Sequence, residues 1–329
     1  RYVDCSLPSG SRAPASSVRA DKTQEPAHDP SRIRDPEAPP QSAAGRRRRL
    51  RPTPRGPLSL LTHVVAEQLV WQAFRPDVDA LRSRVLGLGR SPWLGPHTLR
   101  LHRRAPSIFG FSPTIVPPPR DWPRHAFVTG YWFLDPPAAW TPPPRLVAFL
   151  EAGDPPVYVG FGSMTAERPA ELTRAVIDGL RRAGRRAVLS AGWGGLAPQP
   201  DSDDLHFVGD VPHRWLFPRM SAVIHHGGAG TAASAFLAGV PQMAIPFLAD
   251  QPFWGHRIAS LGAGPAPIPV AALTAERLRL ALLRLHAPDI RRTAHALGRR
   301  VRAERGADTA VEVIEHLAGR GRSRSTLLG

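Results

Sequence analysis

From about residue 156 onward, short apolar runs alternate with helical patterns. VYVGF (157–161), RAVLS (186–190), LHFVG (205–209), AVIHH (222–226) and QMAIP (242–246) have the length and continuous hydrophobicity of buried strands. Between and after them, apolar positions recur at helical spacing over 168–183, 230–239, 252–261, 274–286, 289–304 and 308–318. Strands alternating with helices predict an α/β domain built on a doubly wound parallel sheet.

The pattern before residue 156 is less regular. LSLLTHVVAEQLVWQAF carries Leu61, Val64, Val65, Leu69 and Phe74 at helical spacing, and Pro76 is expected to end that helix. Residues 107–119 predict a short strand ending in a proline-rich turn, and AFVTGYWFL (126–134) a second strand. DPPAAWTPPP is too rich in proline for a helix or a central strand. It marks a stiff linker over 135–155. Residues 1–57 are rich in Pro, Ser, Ala and Arg, too poor in apolar surface to offset chain entropy, and are expected to be a disordered tail. A second disordered tail is expected at 319–329. The ordered part then divides into 58–134, a linker, and 156–318.

Composition narrows the function classes. The 329 residues are 42% hydrophobic and carry a formal charge of +16, yet Lys22 is the only lysine. So uniform a preference for arginine weakens the charge as a sign of partners. The Arg46–Arg49 run reads as a solvated tail rather than a nucleic-acid contact. Cys5 is the only cysteine, so no intrachain disulfide forms. No apolar run approaches the ~20 residues of a spanning helix, and the first residues lack the pattern of a signal peptide. A cytoplasmic protein is the expectation.

In a parallel sheet, ligands sit beyond the carboxyl ends of the strands. Two such ends carry suitable chemistry. GFGSM brings Gly162 and Ser163, a close-approach backbone and a hydroxyl. HHGGAGT brings a histidine, then glycines, then the start of a helix, whose unpaired amides and dipole favour an anion. Adjacent strand residues face opposite sides, so one histidine of the pair points to the ligand; His225 is assigned that position and His226 the core. One βα unit later, PFLADQ supplies Asp250 and Gln251, suited to sugar hydroxyls or, more plainly, to a helix N-cap at Asp250. The histidine spacings do not form a metal site, so no metal is expected. GFGSM lacks the second glycine of a nucleophile elbow, and no lysine follows the glycines as in a Walker loop.

HHGGAGT…AGVP…PF…DQPFWG resembles the donor-binding signature of inverting nucleotide-sugar glycosyltransferases of the GT-B fold, most closely the sterol and lipid glucosyltransferase branch of the UDP-glycosyltransferase superfamily. VYVGFGSM (157–164), SAGWGGL (190–196), VGDVPHRWLFPRMSAVIHHGGAGT (208–231), GAGPAPIP (262–269) and GYWFLD (130–135) extend the likeness over most of 107–285. The resemblance implies that 156–318 is a complete C-terminal Rossmann-like donor domain and that 58–134 is the remnant of a truncated N-terminal acceptor-side domain. It implies that Ser163, His225, Gly227, Gly228, Ala229, Gly230 and Thr231 hold the donor diphosphate. Asp250 and Gln251 would hold its hexose, and Val211 would line its base. Two positions depart from the related plant enzymes. Asp210 stands where they place a base-stacking tryptophan, and Ala233 where they place the acidic ribose ligand.

The implied activity is metal-independent, inverting transfer of a hexose from a nucleoside diphosphate sugar to a hydroxyl of a lipid, sterol-like or polyketide-like natural product, with no cofactor beyond the donor itself. Peripheral contact with a membrane surface fits such an acceptor. No residue is assigned as the general base, since the family's opening segment has no counterpart here. A catalytically incomplete nucleotide-sugar-binding module is the alternative.

Overall fold

The structure, a computed structural model, describes residues 57–95 and 105–325. The expected tail at 1–57 lies outside the described residues except for Pro57. The chain divides into two units, 1–65 and 66–329. Of the first, only the opening of a helix is described; both sheets belong to the second.

A five-stranded, wholly parallel sheet forms the centre of that second unit. Its strands are β3 (Val157–Gly160), β4 (Ala187–Ser190), β5 (Leu205–Val208), β6 (Ala222–His225) and β7 (Gln242–Ala244), in the spatial order β5-β4-β3-β6-β7. All five expected strands are present, and the chain reverses its direction of winding between β3 and β6, where a ligand crevice is expected. Two further strands, β1 (Ser107–Phe109) and β2 (Ala126–Val128), pair in parallel as a separate small sheet.

Alternation along the strands decides which residues meet which helices. Val157, Val159, Leu189 and Ile224 pack with Leu172, Val176 and Leu180 of α3 (Pro169–Arg182) and Leu278, Leu282 and Leu285 of α7 (Ala275–Leu285). Thr274 caps α7 by accepting a bond from the Arg277 N–H at 3.2 Å. On the opposite face, Tyr158, Val188 and Val223 pack with Ala235 of α5 (Ala229–Ala238), Leu216 of the short α4 (His213–Leu216) and Phe217. Both faces are covered, so both are apolar. The remaining helices are α6 (Gln251–Ser260), α8 (Pro288–Arg302) and α9 (Gly306–Ser325).

Four expectations are corrected. The first concerns Pro76, which does not end α1 (Pro57–Arg84). Proline inside a helix costs about 3 kcal/mol, but contacts on both sides hold the helix together. Trp71 Nε1 and Gln72 Nε2 donate to Pro92 O and Trp93 O at 3.2 and 2.8 Å, and beyond the proline the Asp79 carboxylate accepts the Ser91 N–H at 2.6 Å. The second is the expected linker at 135–155, which contains α2 (Pro144–Glu151), a helix whose Leu146 is fully buried against the sheet. Proline at its first turn is compatible with a helix start. Third, Ile115 and Tyr131, assigned to the N-terminal remnant, pack with Phe236, Trp254 and Leu297 of the C-terminal domain. Ser112 Oγ donates to Glu304 Oε1 at 2.6 Å, and Arg257 Nε donates to Ile115 O. Finally, α9 continues to Ser325, past the expected end of order at 318, and residues 326–329 lie outside the described residues. Among the described residues no helix is long and apolar enough to cross a membrane.

Candidate functional site

The carboxyl end of β6 carries the two histidines, and the structure reverses their expected facings. His225 is the last residue of β6 and pairs in register with Gly160 of β3. It shares the parity of Val223, so it faces α5 and is fully buried. Its Nδ1 accepts the Gly227 N–H at 3.0 Å, which leaves Nε2 to carry the proton and donate to Gln242 Oε1 at 3.0 Å. Gln242 passes the chain on by donating to Ala232 O in α5 at 3.4 Å. Burial pushes the His225 pKa down to about 3, so the ring is neutral. Since a fully buried, doubly bonded imidazole cannot also hold a ligand, the assignment of His225 to the diphosphate is corrected.

The ring that stands beyond the strand end is His226. It is half-buried and enclosed by Gly162 of the turn after β3 and by Gly228, two residues further along its own turn. A Cβ built on Gly162, whose φ is +59°, would lie 3.1 Å from His226 Cε1, and one built on Gly228 would overlap Nε2. Neither position has room for a side chain while the ring stays in place. Its Nδ1 is buried without a hydrogen-bond partner among the described residues, a condition a folded protein rarely leaves unexplained. Burial lowers its pKa, and the nearby Asp250 carboxylate opposes that shift.

Immediately after His226, the chain enters α5. The first helical bond runs from Ala232 N–H to Gly228 O at 3.0 Å. The amides of Ala229, Gly230 and Thr231 therefore precede the ladder and have no helical acceptor. They point out of the helix N-terminus beside His226, an arrangement that attracts an anion. Gly227 does not join them, because its N–H is held by His225; its expected place among the diphosphate amides is corrected.

The neighbouring loops complete the crevice. The expected residue Ser163 is exposed on the turn after β3, which closes with Met164 N–H donating to Phe161 O at 3.1 Å. The loop after β7 meets the Gly227 backbone: a Cβ on Gly227 would sit 2.8 Å from Gln251 O. Asp250 is exposed there, with Oδ2 accepting from Trp254 Nε1 at 3.0 Å. It occupies the N-cap position of α6 but makes no side-chain cap bond. The preceding Ala249 has φ +56°, a strained value for a residue with a side chain. Gln251 is turned inward: Oε1 accepts from Phe247 N–H and Leu248 N–H at 2.7 and 3.1 Å, and Nε2 donates to Met164 Sδ at 3.1 Å. Its amide shapes the loop and ties it to the β3 turn, so only Asp250 of the expected sugar pair presents a polar side chain. Val211, expected along the base, is buried with Tyr158 and Phe217, which corrects its side chain as a ligand contact.

The structure thus places His226, and not His225, past the end of β6. No signal in the sequence marked this facing: it follows from the pairing of residues 222–225 with β3, which leaves 226 as the first residue past the strand. A separate cavity of about 620 Å³ lies at the far end of α5, lined by Tyr131, Phe133, Arg214, Arg302 and Arg305 among others, away from this crevice. Among the described residues no group of three or more His, Cys, Asp or Glu side chains is gathered closely enough to hold a metal ion.

Residues 196–318 match the model of the erythromycin biosynthesis protein CIII-like C-terminal domain. The chain is 37% identical over 259 residues to sterol 3-beta-glucosyltransferase UGT80A2 of Arabidopsis thaliana, covering 78% of this chain and 40% of that protein. It is 39% identical over 261 residues to the O-mycaminosyltylonolide 6-deoxyallosyltransferase of Streptomyces fradiae, covering 78% of this chain and 60% of that one. The chain therefore spans about half the length of these relatives. Among solved structures, the glycotransferase of kitacinnamycin superposes with a TM-score of 0.56 at 19% identity, over 79% of this chain and 68% of that one, a likeness of fold. With the parallel sheet and the crevice beyond β6, these matches place the chain in the UDP-glycosyltransferase superfamily, GT-B in fold and sterol glucosyltransferase-like in branch.

Proposed function

We propose that the crevice at the ends of β3, β6 and β7 binds a nucleoside diphosphate sugar, UDP-glucose-like, and that the whole protein transfers its hexose to a hydroxyl of a lipid, sterol-like or natural-product acceptor. One observation carries this reading: the half-buried His226 ring, with an unpartnered Nδ1, stands between Gly162 and Gly228 beside the unpaired amides of the α5 first turn. In this reading an N–H of His226 donates to a phosphate oxygen. The amides of Ala229, Gly230 and Thr231 donate to the same group, and the Ser163 hydroxyl reaches it from the β3 turn. As the glycosidic bond breaks, negative charge grows on the departing diphosphate, where fixed donors are most effective. Amides and imidazole then supply what a metal would otherwise supply, so the transfer is metal-independent. Asp250 orients the hexose by accepting from its hydroxyls. Attack by the acceptor hydroxyl opposite the leaving group inverts the anomeric carbon. The names of the relatives support a fused-ring or macrolide-like acceptor, and a cytoplasmic location with peripheral membrane contact suits both substrates.

The test is transfer from UDP-glucose to a sterol and to a macrolide aglycone, with chelator present, followed by assignment of the anomeric configuration of the product. Transfer with inversion is expected. Retention of configuration or dependence on a divalent cation counts against the mechanism. Binding of the donor without turnover supports the module alternative for this chain, and absence of donor binding removes both.

A further inference from the structure

The loop after β4 presents Trp193 with 80% of its surface exposed, yet holds the backbone beneath it tightly. Trp193 N–H donates to Gly162 O at 3.0 Å. Gly194 N–H donates to Ala191 O, and Ala166 N–H returns a bond to Gly194 O, each at 3.3 Å. Gly192 has φ +57°, and a Cβ there would overlap Gly162 O, so the two loops touch backbone to backbone. Gly162 is the residue that abuts His226. An exposed indole is therefore carried on a backbone-anchored loop one contact away from the anion cradle, and loops on a scaffold are where ligand-binding side chains concentrate.

The strand order gives its direction. Strands lie about 4.8 Å apart. Asp250 follows β7, one strand from β6 on one side. Trp193 follows β4, two strands from β6 on the other, or about 10 Å from the cradle. A nucleoside diphosphate sugar has its diphosphate in the middle. With the hexose toward Asp250, the nucleoside extends toward β3 and β4. The loops that follow β3, β4 and β5 carry one exposed aromatic ring among the described residues, and it is Trp193. Val211, on the β5 side, is sealed in the core.

We propose that Trp193 is the stacking platform for the nucleobase of the donor. This rests on the donor-site reading above and adds a specific residue to it. Stacking tolerates any base, because each has a π face, so Trp193 supplies affinity for the nucleoside without choosing among bases.

The test is calorimetric titration of the full chain with UDP, TDP and inorganic pyrophosphate, in the wild type, Trp193→Ala, Trp193→Phe and His226→Ala. Replacing Trp193 by Ala is expected to weaken UDP and TDP alike by about tenfold or more, the usual scale for loss of one stacked base. Pyrophosphate should change less than twofold, and Trp193→Phe should restore most of the nucleotide affinity. Because the side chain is exposed, the melting temperature should not move. Unchanged nucleotide binding in Trp193→Ala, or a parallel loss of pyrophosphate, overturns the assignment while leaving the donor site intact. A wild type that binds none of the three ligands, or His226→Ala that keeps all three, overturns the donor-site reading itself.

Discussion

His225 and His226 are consecutive, and their rings stand at 89° with centroids 6.3 Å apart. One is sealed between the sheet and α5, where it holds Gly227 and Gln242. The other leaves the sheet and meets the loops after β3 and β7. The sealed ring fixes the backbone on which the half-buried one depends, since the Gly227 N–H bond sets the turn between His226 and α5.

This division predicts opposite phenotypes for the two alanine variants. His225→Ala leaves a buried N–H and a buried amide oxygen without partners, at about 1–3 kcal/mol each, so it should lower stability by about 2–6 kcal/mol in urea unfolding. His226→Ala should change stability little and weaken nucleoside diphosphate binding by about 10- to 100-fold, the scale of one hydrogen bond to a charged group. The reverse pattern would return the ligand to His225.

Gly228→Ala should behave like His226→Ala. The new Cβ overlaps the far end of a side chain that can swing away, so the ring is displaced and the fold persists. Binding should fall with little change in melting temperature. In the double variant the two losses should not add, because both act through the same ring. Additive losses would show that Gly228 acts through something else.

Acid should destabilise the protein from about pH 6.5 downward. Burial lowers the pKa values of His213, His225, His226 and His286 in the folded state. Below the ordinary histidine value of about 6.5, the unfolded chain takes up protons that the folded one refuses, so stability rises with pH in this range. His225 extends the effect to about pH 3 and contributes up to about 1.4 kcal/mol per pH unit. Urea midpoints at pH 7.5, 6.5 and 5.5 should fall in that order, less steeply in His225→Gln. A flat profile would mean that these rings are not buried neutral.

Asp250→Asn should reduce affinity for the sugar nucleotide more than for the free nucleoside diphosphate. The carboxylate is one strand from the cradle and retains an oxygen beyond the one bonded to Trp254. Titration with both ligands checks this, and equal losses would place Asp250 on the diphosphate or in the fold rather than on the sugar.

Local pattern was enough to determine the parallel α/β domain, its five strands, most of its helices and the glycine-rich turn between β6 and α5. Apolar runs, helical spacing and a glycine cluster before a helix are properties of adjacent residues. Tertiary structure alone decided the facing of the histidine pair. Parity sends neighbours to opposite sides, but in a sheet covered on both faces the hydrophobic pattern does not say which side is which. Only the register of β6 against β3 and the partner Gln242 across the layer fix it. The continuation of α1 through Pro76, the burial of Leu146 in a proline-rich stretch and the inward turn of Gln251 were equally closed to inspection of the chain. Each depends on contacts from residues distant or out of phase in sequence, whose energies outweigh the local preference.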